Sequence, residues 1–392
     1  MSKSKLLPKI LFWTGASVIG WGMVGYKESL KILEKKYKNR KLHKNSDYKP
    51  TVTVMIVAHN EEKVIQEKLD NVIDNDYPTD RIDYIVASDW STDRTNDIVN
   101  DFIESHQDIK MSLYCSKEHL GKTNAQNEAQ KHTTGEILVM SDANAMFERN
   151  SISELVSCFT SENIAYVCGR LKYMNDGEND TASSESTYWE SDLRQREIES
   201  NIYTITAGNG AIYACRNNLY YDFPPINCHD SSMPLKYGVE GKRALYNPDA
   251  IAYEKAGETN KDEYKRKVRM NRNILEVFPI SAKMLLTTPK HPWFSYFYFG
   301  HRTCRYLLWL AHGTVLATSA ILAPTSVLYA LAFGGQAVFY GLAAYDLKKK
   351  PKNKAINMVG YYTMTIVAQA KAAYLQVAGK SKSTWDSAKT TR

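Results

Sequence analysis

The sequence is short of the features that mark many common protein classes. Its six cysteines, Cys115, Cys158, Cys168, Cys215, Cys228 and Cys304, show no paired spacing of a metal or disulfide framework. They read as reduced thiols in a protein whose body faces the cytosol. No Gly-x-Gly-x-x-Gly is present, and no glycine-rich loop leads into a phosphate-binding lysine. A dinucleotide dehydrogenase and a P-loop enzyme are both disfavoured by that. There is no nucleic-acid-binding motif, and no small-residue cleavage site follows the first apolar stretch.

What the chain has in excess is lysine, and the excess is local. The formal net charge is +7 over 392 residues, with basic runs at residues 27–44 and 348–354. Both runs flank apolar segments, the pattern of the cytoplasmic ends of membrane helices. Residues 1–27 are therefore expected to form an uncleaved transmembrane anchor, and 28–50 a basic linker. Residues 279–305 are aromatic and basic and suit helices lying in a membrane interface. Two apolar spans follow, split by Pro324, and then a weaker span at 356–377 interrupted by Gln369 and Lys371. If all three cross, the basic tail at 379–392 ends outside. If the last lies in the interface, the tail stays inside. A buried lysine at a bilayer centre is costly, but lysine can snorkel, so both readings stand.

Between the apolar regions, residues 51–278 alternate strand and helix. Residues 52–58 (Val-Thr-Val-Met-Ile-Val-Ala) form an apolar run that stops at His59-Asn60-Glu61-Glu62. A second run ends at Ser88-Asp89-Trp90-Ser91-Thr92-Asp93, and a buried strand at 137–140 ends at Ser141-Asp142-Ala143-Asn144. Such alternation predicts a parallel sheet with right-handed crossovers. Polar groups at three strand ends (Asn60, Asp89, Asp142) then converge where open α/β sheets bind ligands. Asp142 and Asn144 offer two hard oxygens for a divalent cation, or else a plain Asx turn.

Val-Met-Ile-Val-Ala-His-Asn-Glu-Glu, Ser-Asp-Trp-Ser-Thr-Asp-Arg-Thr, Gly-Lys-Thr-Asn-Ala and Ser-Asp-Ala-Asn-Ala follow one another in order. This series resembles family 2 glycosyltransferases, and within them the membrane-embedded polysaccharide synthases of the hyaluronan and cellulose synthase type. The resemblance implies a GT-A fold: an α/β, Rossmann-like catalytic domain with a mostly parallel sheet, here flanked by transmembrane helices (306–378) and interfacial ones. It implies a nucleotide-sugar site, UDP-linked, built on Asn60, Glu61, Asp89, Asp93, Lys122, Asp142, Arg266 and Arg269. Asp89 would accept from the uracil N–H. Asp93 could instead be a helix N-terminal carboxylate, and Lys122 a solvated lysine. Mg²⁺ or Mn²⁺ would sit on Asp142 and Asn144, with Asn144 in place of the family's second acid. Asp230 matches the family's general base, beside His229 in place of an acid. Gly208, Asn209, Gly210, Met270 and Trp385 would lie on the acceptor side. Met270 replaces a tryptophan in the Gln-x-x-Arg-Trp position and Arg266 replaces the glutamine, on a helix expected from about Asp262 to Phe278. Residues 183–201 read as a long charged helix, most of whose charges a solvated face explains.

The expected function is inverting, metal-dependent sugar transfer onto a growing exopolysaccharide or capsular glycan at the cell membrane, with the catalytic domain cytosolic. The alternatives are single-sugar transfer to a polyprenyl or other lipid-linked acceptor and a catalytically silent membrane scaffold. Expected partners are the donor, the acceptor and membrane lipids, and either a second copy or a membrane subunit, but no nucleic acid.

Overall fold

A computed structural model describes residues 5–384, apart from 175–179, 256–259, 288, 350 and 352. A helical rod comes first: α1 (Leu6–Gly20), a π-helical turn (Trp21–Gly25) and α2 (Tyr26–Lys36). The stretch expected to be a linker from residue 28 is thus helical as far as Lys36, because Tyr26 and Leu30 are completely buried.

The domain then runs β1 (Val52–Ala58), α3 (Ile65–Ile73), β2 (Ile82–Ser88), α4 (Thr95–Ser105), β3 (Met111–Cys115), α5 (Lys122–Gln130) and β4 (Ile137–Asp142). It continues through β5 (Met146–Phe147), α6 (Ser151–Ser157), β6 (Ile164–Tyr173), α7 (Asp180–Ile202), β7 (Ile212–Arg216), α8 (His229–Val239), β8 (Arg243–Glu254) and α9 (Asn260–Met270). The eight strands form one sheet in the order β3-β2-β1-β4-β7-β6-β8-β5. β1 to β4 are parallel, while β7 and β5 run against their neighbours. β1 is buried along its whole length. Its alternate residues feed two cores, as strand periodicity requires. Val52, Val54 and Ile56 pack with Ile65, Leu69 and Phe102, and Met55 and Val57 with Ala125, Met233 and Tyr237. Each such aliphatic side chain contributes roughly 1.5–3 kcal/mol on burial.

Two expectations are corrected here. The charges of α7 do not form a solvated face: Asp192, Arg196 and Glu199 are buried. Asp192 pairs with Arg196 (2.7 Å), with the His301 ring (2.9 Å) and with Arg305. Tyr26 donates to Glu199 (2.6 Å), which also meets the other His301 nitrogen at 2.7 Å. The network ties the N-terminal rod and the 298–305 segment to the catalytic domain. Burial pushes the Asp192 carboxyl up, but Arg196 and Arg305 outweigh it and hold the group well below the usual carboxylate range. Secondly, the helix expected to reach Phe278 stops at Met270. Arg272 and Asn273 beyond it turn to the carbonyls of Asn227 (2.8 Å) and Ile226 (3.2 Å).

The remaining elements are α10 (Val277–Thr287), α11 (Pro292–Phe297), α12 (Cys304–Tyr306), α13 (Leu308–Leu322), α14 (Val327–Lys349) and α15 (Lys354–Val377). Among the described residues, two helical stretches, Leu308–Thr325 and Val327–Lys349, are long and apolar enough to cross a membrane. α14 leaves Val327, Leu328, Leu331, Val338 and Leu347 exposed. α1 lies against α13 at Gly15, where an added Cβ would come within 2.8 Å of Val315. His312 joins α13 to α14 and α15 through the hydroxyls of Tyr340 and Tyr362, each at 2.9 Å.

Candidate active site

The strands step outward from β1 to β2 to β3, and β4 then returns to the other side of β1. This is a topological switch point, where the loops at the strands' carboxyl ends part and leave a crevice. His59 and Asn60 follow β1, Asp89 follows β2 and Asp142 ends β4, so the three expected strand ends do meet.

Asp89 is buried, at 2% exposure, and both its oxygens are engaged. Oδ1 accepts from Leu120 N–H (3.2 Å) and Oδ2 from Gly121 N–H (2.9 Å). Gly121 has φ +101°, open to glycine and strained for other residues. His119 Nδ1 lies 2.9 Å from Asp89 Oδ2, and His59 Nδ1 donates to the Asp89 carbonyl at 2.7 Å. The two imidazoles stack at 3.9 Å. Ligand atoms of His59, Asp89 and His119 lie within 4.8 Å of one another, so this trio could itself hold a metal ion. Neither histidine was singled out from the sequence. His119 carries a signal only through its place just before Gly121-Lys122.

Several residues expected to touch the donor instead shape the loops. Asn60, at φ +54°, accepts from Thr92 N–H (2.8 Å) and stitches the β1 loop to the β2 loop. Asp93 accepts from Thr95 and from Glu62 N–H (3.1 Å). Burial raises its pKa, but the Thr95 bonds prevail and the carboxyl lies below its ordinary value. Asp93 therefore behaves as the helix-terminal carboxylate that the sequence allowed. Glu61 is buried and its N–H is taken by Thr95 Oγ1 at 2.8 Å.

At the other end of the crevice, Lys122 is no solvated lysine. Its Nζ pairs with Asp142 and also donates to the Gly210 carbonyl at 3.2 Å. Burial pulls the ammonium down, yet Asp142 more than restores it, and the pKa lies above its ordinary value. A side chain on Gly210 would strike Lys122 Nζ at 2.9 Å. The Gly208 N–H donates to the Asp230 carbonyl at 2.7 Å, which brings α8 to the same turn. Asn209 is spent on the turn itself: it donates to the Gly169 carbonyl (2.7 Å) and accepts from Ala211 and Ile212 N–H (3.1 Å each).

Asp230 stands in the first turn of α8, and Cys228 takes the cap position. Burial pushes its carboxyl up, Lys122 draws it back and Asp142 raises it again, for a net rise. His229 is buried between Tyr220 OH (2.8 Å) and Gln126 Oε1 (3.0 Å). Burial lowers it to about 3, so it is a neutral structural ring. Arg269 carries the influence of Cys228 and Asp142 and is lowered to about 10, chiefly by burial. Arg266 does not turn to the site: it pairs with the buried Glu263 at 2.7 Å. Glu263 also binds Lys267 (3.3 Å) and Tyr361 OH (3.1 Å), so Arg266 belongs to the contact between α9 and α15. Met270 is 51% exposed. Trp385 lies outside the described residues.

Two groups, one buried and one half-buried, were missed entirely. Lys68 on α3 is fully buried, donates to the Ala145 carbonyl and lies 3.9 Å from the centre of the Phe147 ring. Glu254 accepts from the Asn144 amide at 2.8 Å. Neither is marked by any motif.

A mixed sheet with this switch point, an acid at each end of the crevice and a lysine on the second acid defines a GT-A-type domain. Residues 53–217 match the family model described as Glycosyl transferase family 2. The probable glycosyltransferase YdaM of Bacillus subtilis is 26% identical over 277 residues, 66% of this chain and 65% of that protein. A beta-monoglucosyldiacylglycerol synthase of Nostoc sp. is 28% identical over 130 residues, 33% of this chain and 28% of that one. The chain thus spans just under two thirds of the first relative and less of the second. In fold, it is similar to the mannosyltransferase PcManGT from Pyrobaculum calidifontis, solved with GDP-Man and Mn2+. The TM-score is 0.71 at 24% identity, covering 96% of this chain and all of that one.

Proposed function

We propose that this protein is a membrane-anchored, metal-dependent, inverting glycosyltransferase that draws on a nucleotide-sugar donor. The observation that carries the reading is the meeting of Lys122, Asp142 and Asp230 at one end of a crevice whose other end holds Asp89. Asp89 receives the base edge and Lys122 meets the diphosphate. The site also fits a hard divalent cation. Asp142 already holds an ammonium, and Asn144 adds an amide oxygen of the kind that Mg²⁺ and Mn²⁺ accept, with the Glu254 carboxylate on its amide nitrogen. When bound, the cation neutralises charge on the leaving diphosphate. Asp230 takes the proton of the acceptor hydroxyl as its oxygen attacks the anomeric carbon. Burial raises its pKa, the direction that strengthens a carboxylate base.

The donor is UDP-linked on the sequence reading, and PcManGT's GDP-Man makes a guanosine donor the first competitor. The exposed apolar face of α14 supports the membrane setting, with the catalytic domain on the cytosolic, lysine-rich side. The acceptor is an extending exopolysaccharide or capsular glycan. A second reading is single-sugar transfer to a lipid acceptor. It is favoured by Met270, an exposed and adaptable side chain where a polymerase would carry a stacking tryptophan, and by the lipid glucosyltransferase name among the relatives.

The test is nucleotide release by the detergent-purified chain from a panel of UDP- and GDP-sugars, with Mn²⁺, Mg²⁺ or chelator. One donor should turn over with metal, and Asp230→Asn should lower kcat by about 10²–10⁴ with the donor KM little changed. A ladder of products supports polymerisation, and one short product supports the lipid reading. No turnover from folded protein supplied with lipid acceptors would favour a silent scaffold.

A further inference from the structure

Asn144 stands where the family's metal motif has its second acid, so the motif is one negative charge short. We propose that Glu254 supplies this charge and, by holding the Asn144 amide, turns its oxygen toward the cation. The inference rests on the metal-dependent reading given above.

Strand register brings the two side chains together. β5 pairs with β8 as Met146↔Tyr253 and Phe147↔Ala252, so the end of β8 runs beside the residues just before Met146. On its other side, Glu254 pairs with Tyr173, and its carbonyl accepts from Met174 N–H at 3.0 Å. The carboxylate is thus presented from a backbone fixed on both sides. Asn144 is only 8% exposed and donates Nδ2–H to Glu254 Oε1 at 2.8 Å.

A carboxylate accepts hydrogen bonds and cannot donate them. The amide must therefore show Glu254 its NH₂ group, and this decides which way the side chain is flipped. Without that partner, the amide could equally turn its NH₂, which repels a cation, toward the site. With it, Oδ1 is kept on the side away from Glu254. The charge is restored as well: Asp142 and Glu254 together carry the two negative charges of an Asp-x-Asp pair, the second displaced by one hydrogen bond. Partners one bond removed from a metal typically govern its affinity by 10–100-fold.

The test is Mn²⁺ binding, read from the electron paramagnetic resonance of free Mn²⁺. The detergent-purified full chain is titrated with UDP and, separately, with GDP. Glu254→Gln should weaken Mn²⁺ binding about 10-fold or more. Asn144→Asp alone places two carboxylates in contact and should bind no more tightly than the parent. Asn144→Asp combined with Glu254→Gln reverses the hydrogen bond at constant charge and should return to within about 3-fold of the parent. Melting curves confirm that each variant is folded. The inference is overturned if Glu254→Gln binds as the parent does, or if the double variant is no better than Glu254→Gln. If the parent itself binds no Mn²⁺ with either nucleotide, the metal-dependent reading falls first and takes this inference with it.

Discussion

Lys68 offers the sharpest quantitative prediction. Its amine is fully buried beneath the loop that follows Asp142, and burial pushes it from its ordinary 10.5 down to about 7, with Asp142 pulling weakly the other way. A depression of about 3.5 pH units corresponds to roughly 5 kcal/mol of cost to the folded state when the amine is charged. Below pH 7 the folded and unfolded chains both hold the proton, and the folded chain bears this cost in full. Between about 7 and 10.5 the unfolded chain keeps the proton and the folded chain has lost it. Stability therefore rises with pH across that window. Lys68→Met keeps the aliphatic stem and removes the charge. It also strips the Ala145 carbonyl of its donor, at a cost of about 1–3 kcal/mol.

The variant should therefore be more stable than the parent by roughly 3 kcal/mol at pH 6, and the advantage should vanish near pH 9.5. Melting followed by tryptophan fluorescence in detergent with chelator would show this as a gap of several degrees that closes as pH rises. Nucleotide release should move the opposite way, because the same amine holds the loop that presents Asp142 and Asn144. A gap that is constant with pH, or a variant less stable than the parent at pH 6, would refute the reasoning. The amine would then be an ordinary hydrogen-bond donor.

Four further outcomes are expected. Because burial raises Asp230 and the base works deprotonated, kcat should fall with unit slope as pH drops, starting above the ordinary carboxylate range; an acid limb at or below pH 4 in a stopped assay would remove Asp230 as base. Asp192→Ala leaves Arg196, His301 and Arg305 without their shared acid and should destabilise by about 3–5 kcal/mol, read by melting. Trp90 sits at φ +58°, so Trp90→Gly should release about 1 kcal/mol or more of backbone strain and raise the melting temperature, while the donor KM reports whether the exposed ring helps binding. His312→Leu breaks two hydrogen bonds between helices and should cost about 1–2 kcal/mol in detergent unfolding, with kcat unchanged.

The strand ends were legible because strand periodicity and polar stops are local. Val52 to Ala58 reads as a buried strand ending at Asn60, and Asp89 and Asp142 read as the ends of two further strands without any tertiary knowledge. The roles within those loops were less legible. Asn60 and Asp93 look like ligands in a motif, but their oxygens are spent on backbone N–H groups that turn sharply around them. Arg266 and Arg269 share a helix in sequence, yet Glu263 three residues away claims the first. Lys68 and Glu254 could not be read at all. Lys68 reaches Ala145 and Glu254 reaches Asn144 across sequence gaps that no periodicity spans. The charges of α7 misled for the same reason: their partners, His301 and Arg305, lie about a hundred residues on.

The contacts of α15 lead to an expectation for the side on which residues 379–384 lie. Three crossings after the catalytic domain would put the tail opposite the active site. α15 is bonded to that domain at Tyr361 and at Gln376, and to the adjoining 279–305 segment at Gln369 between them. Tyr361 donates to Glu263, Gln369 donates to the Arg305 carbonyl at 3.1 Å, and Gln376 accepts from Leu275 N–H at 2.9 Å. A helix held in this way is expected to lie against the domain rather than to cross a bilayer. Beyond α15, Ser381 donates to the Arg272 carbonyl (3.1 Å), and Arg272 donates to that of Ser383 (3.2 Å). The Ser383 carbonyl also lies where a Cβ on Gly121 would come within 2.9 Å, beside the loop that grips Asp89. With α13 and α14 as the crossing pair, the number of crossings would be even and residues 379–384 would lie on the active-site side. Lys371 then never meets a bilayer centre, and its ammonium rests 5.1 Å from the Tyr374 ring. A cysteine placed at Ser381 should accordingly be labelled by a membrane-impermeant maleimide only after the cytosolic face is opened. Labelling of intact cells would mean that α15 crosses after all.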